Sequence, residues 1–238
     1  MTIINLTHAY TDGEMTFIGR LIYDDAMPFP RAGVIVAPAF GGLGPLEVER
    51  AIDLAKLGYV ALAVDYYGNG LRAHSEDEAF QLMNVLNNDR PRLAARMNIA
   101  LSELKSLPQV DPSRTAAMGY CFGGKAVLDL ARSGADFRAA ISFHGVYDKS
   151  GNMHTPIVPS VLILHGWEDP LARPLEFTEL GAELNALCDD WQALCFGKTG
   201  HAFTNPNAQS PDTGMAFNER SSFRAWRALV AFLDERIR

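Results

Sequence analysis

Cysteine is scarce in this 238-residue chain: Cys121, Cys188 and Cys195 are the whole supply. Three is an odd number and no CxxC pair is among them, which argues against a disulfide framework and for a reducing, cytoplasmic setting. Long apolar runs are missing too. Stretches such as Val34–Ala37 and Val161–Leu164 are strand-sized, far short of the ~20 residues that a bilayer-spanning helix needs. The opening residues, Met1 to Leu6, have neither the basic start nor the apolar centre of a secretory signal, so the Asn5-Leu6-Thr7 sequon is expected to carry no meaning. Positive charge is in deficit: 21 Lys and Arg against 28 Asp and Glu give a formal net charge of -7. With no Lys/Arg stripe either, the balance argues against nucleic acid and anionic membrane as main partners. A small anionic ligand, which needs one or two placed cations, stays possible. No HExxH or Cys/His ligand spacing is present, so no metal site is expected.

The chain also lacks internal repeats, low-complexity tracts and Pro/Ser-rich linkers, and residues 1–238 read as one domain. After an antiparallel strand expected over about residues 15–23, short β-branched runs alternate with helical patterns. Strands are expected near Gly33–Ala37, Tyr59–Val64, Arg114–Gly119, Ala139–Phe143, Ser160–His165 and Trp191–Phe196. Most are apolar on both faces, as parallel strands covered by helices must be. One helix opens at Pro45, repeats Val48, Ile52, Ala55 and Leu57, and closes at Gly58. A second opens at Pro91, carries Leu93, Met97, Ala100, Leu101 and Leu104, and stops before Pro108. The last places Phe223, Trp226, Leu229, Val230, Leu233 and Ile237 on a stripe opposite Arg224 and Arg227, the pattern of a helix packed on a sheet. Strand–helix alternation at this length predicts an α/β fold, a doubly wound and mostly parallel sheet flanked by helices. Ligands of such folds bind beyond the carboxyl ends of the strands.

One segment meets that condition with chemistry attached. Gly119-Tyr120-Cys121-Phe122-Gly123-Gly124 follows the strand ending at Met118 and precedes a helical pattern from Lys125. It is a G-x-S-x-G elbow with cysteine in the serine position. A very tight strand-to-helix turn drives its central residue toward positive φ and brings the residues two positions away into collision, which glycine relieves. The sulfur is then lifted above the sheet at a helix N-terminus, where the macrodipole favours thiolate. The competing reading is a small buried hydrophobe at a packing point.

A nucleophile of this kind needs a base and an acid, which follow it in the chain. The strand Val161–Leu164 runs through His165-Gly166 into Trp167-Glu168-Asp169-Pro170, and Asp169 is the expected acid, with Glu168 its nearest competitor. The next strand runs into Gly197-Lys198-Thr199-Gly200-His201, and His201 is the expected base. His8 and His74 precede the elbow. His144 and His165 end core strands before glycine and read as structural, and His154 in a Pro-flanked loop reads as solvated. Two backbone N–H groups are expected to form an oxyanion hole: Phe122, and Ala39 in the loop Pro38–Gly42, with Phe40 close behind. Asp65–Gly70 ends a strand with no dinucleotide fingerprint and no clear helix after it, and reads as a structural loop.

In this order the elbow, the Trp167–Pro170 loop and Gly200-His201-Ala202-Phe203 resemble the dienelactone hydrolase family of the α/β-hydrolase superfamily. Phe40-Gly41 and Gly58-Tyr59 leading to Asp65-Tyr66-Tyr67 resemble it as well, and the similarity runs from about residue 15 to the C-terminus. The resemblance implies a Cys-Asp-His hydrolase that acts on a small-molecule ester or lactone through a thioester, without metal or organic cofactor. Two positions depart from the family prototype. Pro38 stands where the prototype has a glutamate that pairs with the resting cysteine, and Asn205 where it has an arginine that clamps a substrate carboxylate. Without that glutamate, Cys121 is expected to rest as a thiolate beside protonated His201. Substrate contacts are expected from Phe40, Asn205 and Arg72, the last a candidate replacement cation. The alternative reading is a catalytically silent scaffold in which Cys121 serves binding or redox sensing. Within enzymes, thioesterase, carboxylesterase and lactonase are not separated by these residues.

Overall fold

Apolar character on both faces of the predicted strands calls for helices above and below a sheet, and a computed structural model has that arrangement. It describes residues 1–148 and 155–238; His154 lies outside the described residues. Eight strands form one sheet in the order β1-β2-β4-β3-β5-β6-β7-β8. They are β1 (Ile3–Thr11), β2 (Thr16–Asp24), β3 (Arg31–Ala37), β4 (Val60–Ala63), β5 (Val110–Tyr120), β6 (Ala139–Phe143), β7 (Ser160–Gly166) and β8 (Trp191–Phe196). β1 and β2 are antiparallel and β2 meets β4 antiparallel. From β4 across to β8 every pairing is parallel.

The central strands are buried from end to end: all seven residues of β3, four of β4 and five of β6. Helices α1 (Pro45–Lys56) and α6 (Glu219–Ile237) cover one face through Ala51, Leu54, Leu229 and Leu233. On the other face lie α2 (Glu76–Asn87), α3 (Arg90–Ser106), α4 (Phe122–Arg132) and α5 (Pro174–Leu187), packed through Leu86, Leu93, Leu130 and Leu184. Arg132, buried under this layer, bonds the carboxylates of Glu183 and Asp129. A buried guanidinium needs such partners, because an unpaired charge there would cost several kcal/mol.

Several expectations need amending. The segment that reads as loop after Asp65 is followed by α2, which Ser75 caps by accepting the Glu78 N–H. On α6 Phe223 is 62% exposed, and the buried stripe instead runs through Ala225, Leu229, Phe232, Leu233 and Ile237. β5 begins four residues earlier than expected, with a register shift against β3 between Arg31 and Gly33. Among the described residues no helix is long and apolar enough to cross a membrane.

The layout decides where a site can form. From β3 the chain order proceeds to β4 on one side and to β5 on the other, so the β3 and β5 carboxyl ends flank the point where the sheet changes direction. Ligands of open α/β sheets bind beyond the carboxyl ends of the strands at such a point. The loop after β3 and the residue after β5 both lie there.

Candidate active site

Cys121 occupies the turn between β5 and α4 with φ 54° and ψ -116°, a backbone state that costs a non-glycine residue of order 1–3 kcal/mol. The turn is fixed at both ends: Cys121 N–H donates to the Phe143 carbonyl at 3.0 Å and its own carbonyl accepts from Lys125. Glycine is mandatory around it. A Cβ on Gly119 would run into the Gly123 backbone, and one on Gly123 into the Ala37 and Pro38 carbonyl oxygens. The first turn of α4 is therefore in direct backbone contact with the loop after β3.

His201 stands five residues beyond β8, anchored by its N–H on the Gly214 carbonyl at 2.7 Å. Its Nδ1 is 2.8 Å from Asp169 Oδ2, and both side chains are almost fully buried. The other Asp169 oxygen accepts the Leu171 N–H at 2.8 Å, so the carboxylate is held on both sides. Glu168 is exposed and does not compete for the imidazole. Burial alone would push His201 down. The charge of the nearby Cys121 sulfur and the interactions with Asp169 and Cys121 outweigh it, and the imidazole is raised to about 10. Its Nε2 makes no regular hydrogen bond within the described structure.

His144 reads as structural from sequence, and the structure sets it against the site. It follows β6 at φ 36° and is buried, with its ring edge-on to His201 at 4.9 Å. Nε2 meets the Thr204 hydroxyl at 2.8 Å, three residues past His201. Burial, then the charge of His201, holds His144 well below the usual histidine range. His165 is stacked on Phe177 with its Nδ1 3.3 Å from the Tyr147 hydroxyl.

The remaining expected residues fall out unevenly. Phe122 N–H sits at the first position of α4, where no intrahelical acceptor exists. The Ala39 N–H, expected as the second donor, already donates to Glu47 Oε1 at 3.2 Å. The Phe40 N–H donates to no described residue. The Phe40 ring packs on Phe80 at 5.3 Å. Arg72 is exposed and lies over Gly44, where its charge acts on the Glu47 carboxyl, so it is engaged at the loop rather than left free. Asn205 has its side-chain oxygen tied into a local turn by the Asn207 N–H at 3.0 Å. Sequence reasoning misses three neighbours of the site: Glu47, and Tyr66 and Tyr67, whose hydroxyls donate to the Pro38 and Phe40 carbonyls.

Residues 18–237 match the profile of the dienelactone hydrolase family. This chain belongs to the dienelactone hydrolase family. The m3DLH structure is 34% identical over the whole of both chains, with a TM-score of 0.92. A dienelactone hydrolase-like promiscuous phosphotriesterase, P91, from metagenomic libraries is 34% identical over 99% of each chain, with a TM-score of 0.93. An uncharacterized protein of Caenorhabditis elegans is 32% identical over 60% of this chain and 94% of its own length. As a dienelactone hydrolase family member with the α/β-hydrolase fold, the protein is a carboxylic ester hydrolase that acts on small-molecule esters or lactones. The silent-scaffold alternative is thereby set aside.

Proposed function

We propose that this dienelactone hydrolase family member cleaves its ester or lactone with Cys121 as nucleophile, His201 as proton carrier and Asp169 as the acid that orients it. The observation that carries the reading is the polarity of His201. One ring nitrogen is held by a buried carboxylate at 2.8 Å, and the ring is raised by the sulfur of a strained elbow residue. That is the arrangement a nucleophile–base–orienter set requires.

In the first step the Cys121 sulfur bonds to the carbonyl carbon, and the carbonyl π electrons move to oxygen. Backbone N–H groups at Phe122 and in the loop after β3 stabilise that oxyanion. As it collapses, the C–O bond breaks and His201 gives its proton to the departing alkoxide. In a lactone the freed hydroxyl stays attached to the acyl chain. Water then attacks the thioester, its proton passes to His201, and the sulfur leaves as thiolate while the carboxylic acid is released. Asp169 stays ionised throughout and stabilises the imidazolium.

The test is hydrolysis of p-nitrophenyl acetate and butyrate by wild type beside Cys121→Ala, at matched concentration and with folding confirmed by circular dichroism. Loss of activity in the variant is expected. Equal activity in both would reject Cys121 as the nucleophile. The likeness to a promiscuous phosphotriesterase favours a second activity at the same sulfur. There an S–P bond forms as an aryl oxide leaves, and water releases the phosphodiester. Hydrolysis of a diethyl aryl phosphate that also vanishes in Cys121→Ala is the expected result.

A further inference from the structure

Glu47 is a carboxylate in an unusual place. It lies in the first turn of α1, is only 4% exposed, and burial raises it above the ordinary glutamate range. One oxygen accepts the N–H of Gly44, the residue that caps its own helix, at 3.0 Å. The other reaches back past the cap to the Ala39 N–H at 3.2 Å. A capping box needs only the first of these bonds. The second ties together the two ends of the loop from β3 to α1, the loop against which the first turn of α4 is packed.

Tyr66, just beyond β4, holds the same loop from the opposite side. Its buried hydroxyl is 2.6 Å from the Pro38 carbonyl oxygen and 3.1 Å from that of Ala39. Its ring lies edge-on to Phe122, next to the nucleophile, at 5.8 Å. The peptide joining Pro38 to Ala39 is therefore gripped at both poles, its C=O by Tyr66 and its N–H by Glu47. In the next peptide the Ala39 C=O accepts from Gly42 N–H at 3.0 Å and from Tyr66. A trans peptide is planar with its N–H opposed to its C=O. Fixing that carbonyl fixes the direction of the Phe40 N–H, which has no acceptor among the described residues.

We propose that Glu47, with Tyr66, is a positioning residue of the hydrolysis: it engages the Ala39 N–H and so makes the Phe40 N–H the second oxyanion donor. This rests on Cys121 being the nucleophile. Glutamine at position 47 has one accepting oxygen and an NH2 group, so it can satisfy either Ala39 or Gly44, and presents a donor to the other. The loop is then released at one end, and the Phe40 amide loses its aim.

The experiment separates a chemical step that builds an oxyanion from one that does not. For wild type and Glu47→Gln, kcat/KM for p-nitrophenyl acetate is measured beside the rate at which iodoacetamide alkylates Cys121, followed on the Cys121 peptide by mass spectrometry. Alkylation displaces iodide at a saturated carbon and makes no oxyanion. Outright loss of an oxyanion donor lowers rates about 100–1000-fold, and a misaimed one is expected to cost about 10–100-fold. Glu47→Gln should therefore lose about 10–100-fold in ester hydrolysis while its alkylation rate stays within about twofold. Equal losses in both reactions, or no loss in either, would overturn the proposal. If Glu47→Gln does not fold, Tyr66→Phe carries the same test, because it removes the hydroxyl bonds to the Pro38 and Ala39 carbonyls, leaving Ala39 with the Gly42 N–H alone, while keeping the ring. Cys121→Ala is measured in parallel. Hydrolysis that survives in it would overturn the nucleophile reading itself, a failure distinct from that of Glu47.

Discussion

Asparagine at position 169 is a one-atom change that tests the orientation of His201. Asp169 uses its two oxygens separately, Oδ2 for His201 Nδ1 and Oδ1 for the Leu171 N–H, each at 2.8 Å. In Asp169→Asn a single oxygen is left for the two jobs. If the oxygen stays on His201, the NH2 group faces the Leu171 N–H, and a buried donor goes unpaired at about 1–3 kcal/mol. If it turns to Leu171, the NH2 group faces Nδ1, and His201 satisfies it by carrying its proton on Nε2 instead. The second arrangement keeps both hydrogen bonds and is the one expected to prevail. In that tautomer Nε2 cannot take up the proton of the thiol or of the attacking water, so the imidazolium that the mechanism starts from and returns to does not form, and the negative charge that stabilises it is gone. Such a change in a triad of this type lowers kcat by about 10⁴, or about 5 kcal/mol at about 1.36 kcal/mol per decade. Steady-state hydrolysis of p-nitrophenyl acetate by Asp169→Asn, with a melting curve to confirm the fold, measures it. A loss below about tenfold would refute the assignment of Asp169 as the orienting acid.

Because the folded His201 is raised to about 10 from an ordinary 6.5, its ring should titrate near pH 10 by nitrogen NMR. It should fall in Cys121→Ala, since the Cys121 charge is the first of the causes that raise it; a wild-type midpoint near 6.5 would contradict this. The sign for stability follows: the folded state holds the proton more tightly, so the contribution is full below about pH 6.5 and is lost as pH rises through about 10. Gly123→Ala puts a Cβ into the Ala37 and Pro38 carbonyl oxygens, backbone atoms that no rotamer change relieves. A loss of about 3 kcal/mol in urea unfolding is expected, and an unchanged midpoint would mean that the elbow and the β3 loop are not in contact.

What can be read in advance follows from how local each signal is. β3, β4 and β6 stand out because burial on both faces leaves an unbroken apolar run. β1 does not, because it is a half-exposed edge strand whose residues, Leu6 among them, gain little burial. α2 is hidden for a related reason. Its Phe80 and Val85 are exposed and only Ala79 and Leu86 are buried, so no apolar stripe marks it, although the acidic run Glu76-Asp77-Glu78 after Ser75 is a helix-start signal. On α6 small Ala225 faces the core and large Phe223 faces solvent, and a count of bulky side chains places the buried face wrongly by part of a turn.

The site divides along the same line. The elbow is legible because the collision that demands Gly119 is local, with Gly123 four residues along the chain, and Asp169 and His201 because each lies beyond the carboxyl end of a strand. Glu47 gives only half of its role. Its place three residues after Gly44 is the capping-box spacing, but the bond to Ala39 depends on how far the loop from β3 folds back over α1, which no periodicity records. Tyr66 is less visible still, because its partners are backbone carbonyls 27 and 28 residues away, and any residue type at positions 38 and 39 would offer the same oxygens. Side chains that bond to side chains leave two marks in a sequence, while those that bond to backbone leave one. The residues that aim an oxyanion hole belong to the second kind, so the aim of the Phe40 amide becomes legible only when the fold brings Glu47 and Tyr66 to opposite poles of one peptide.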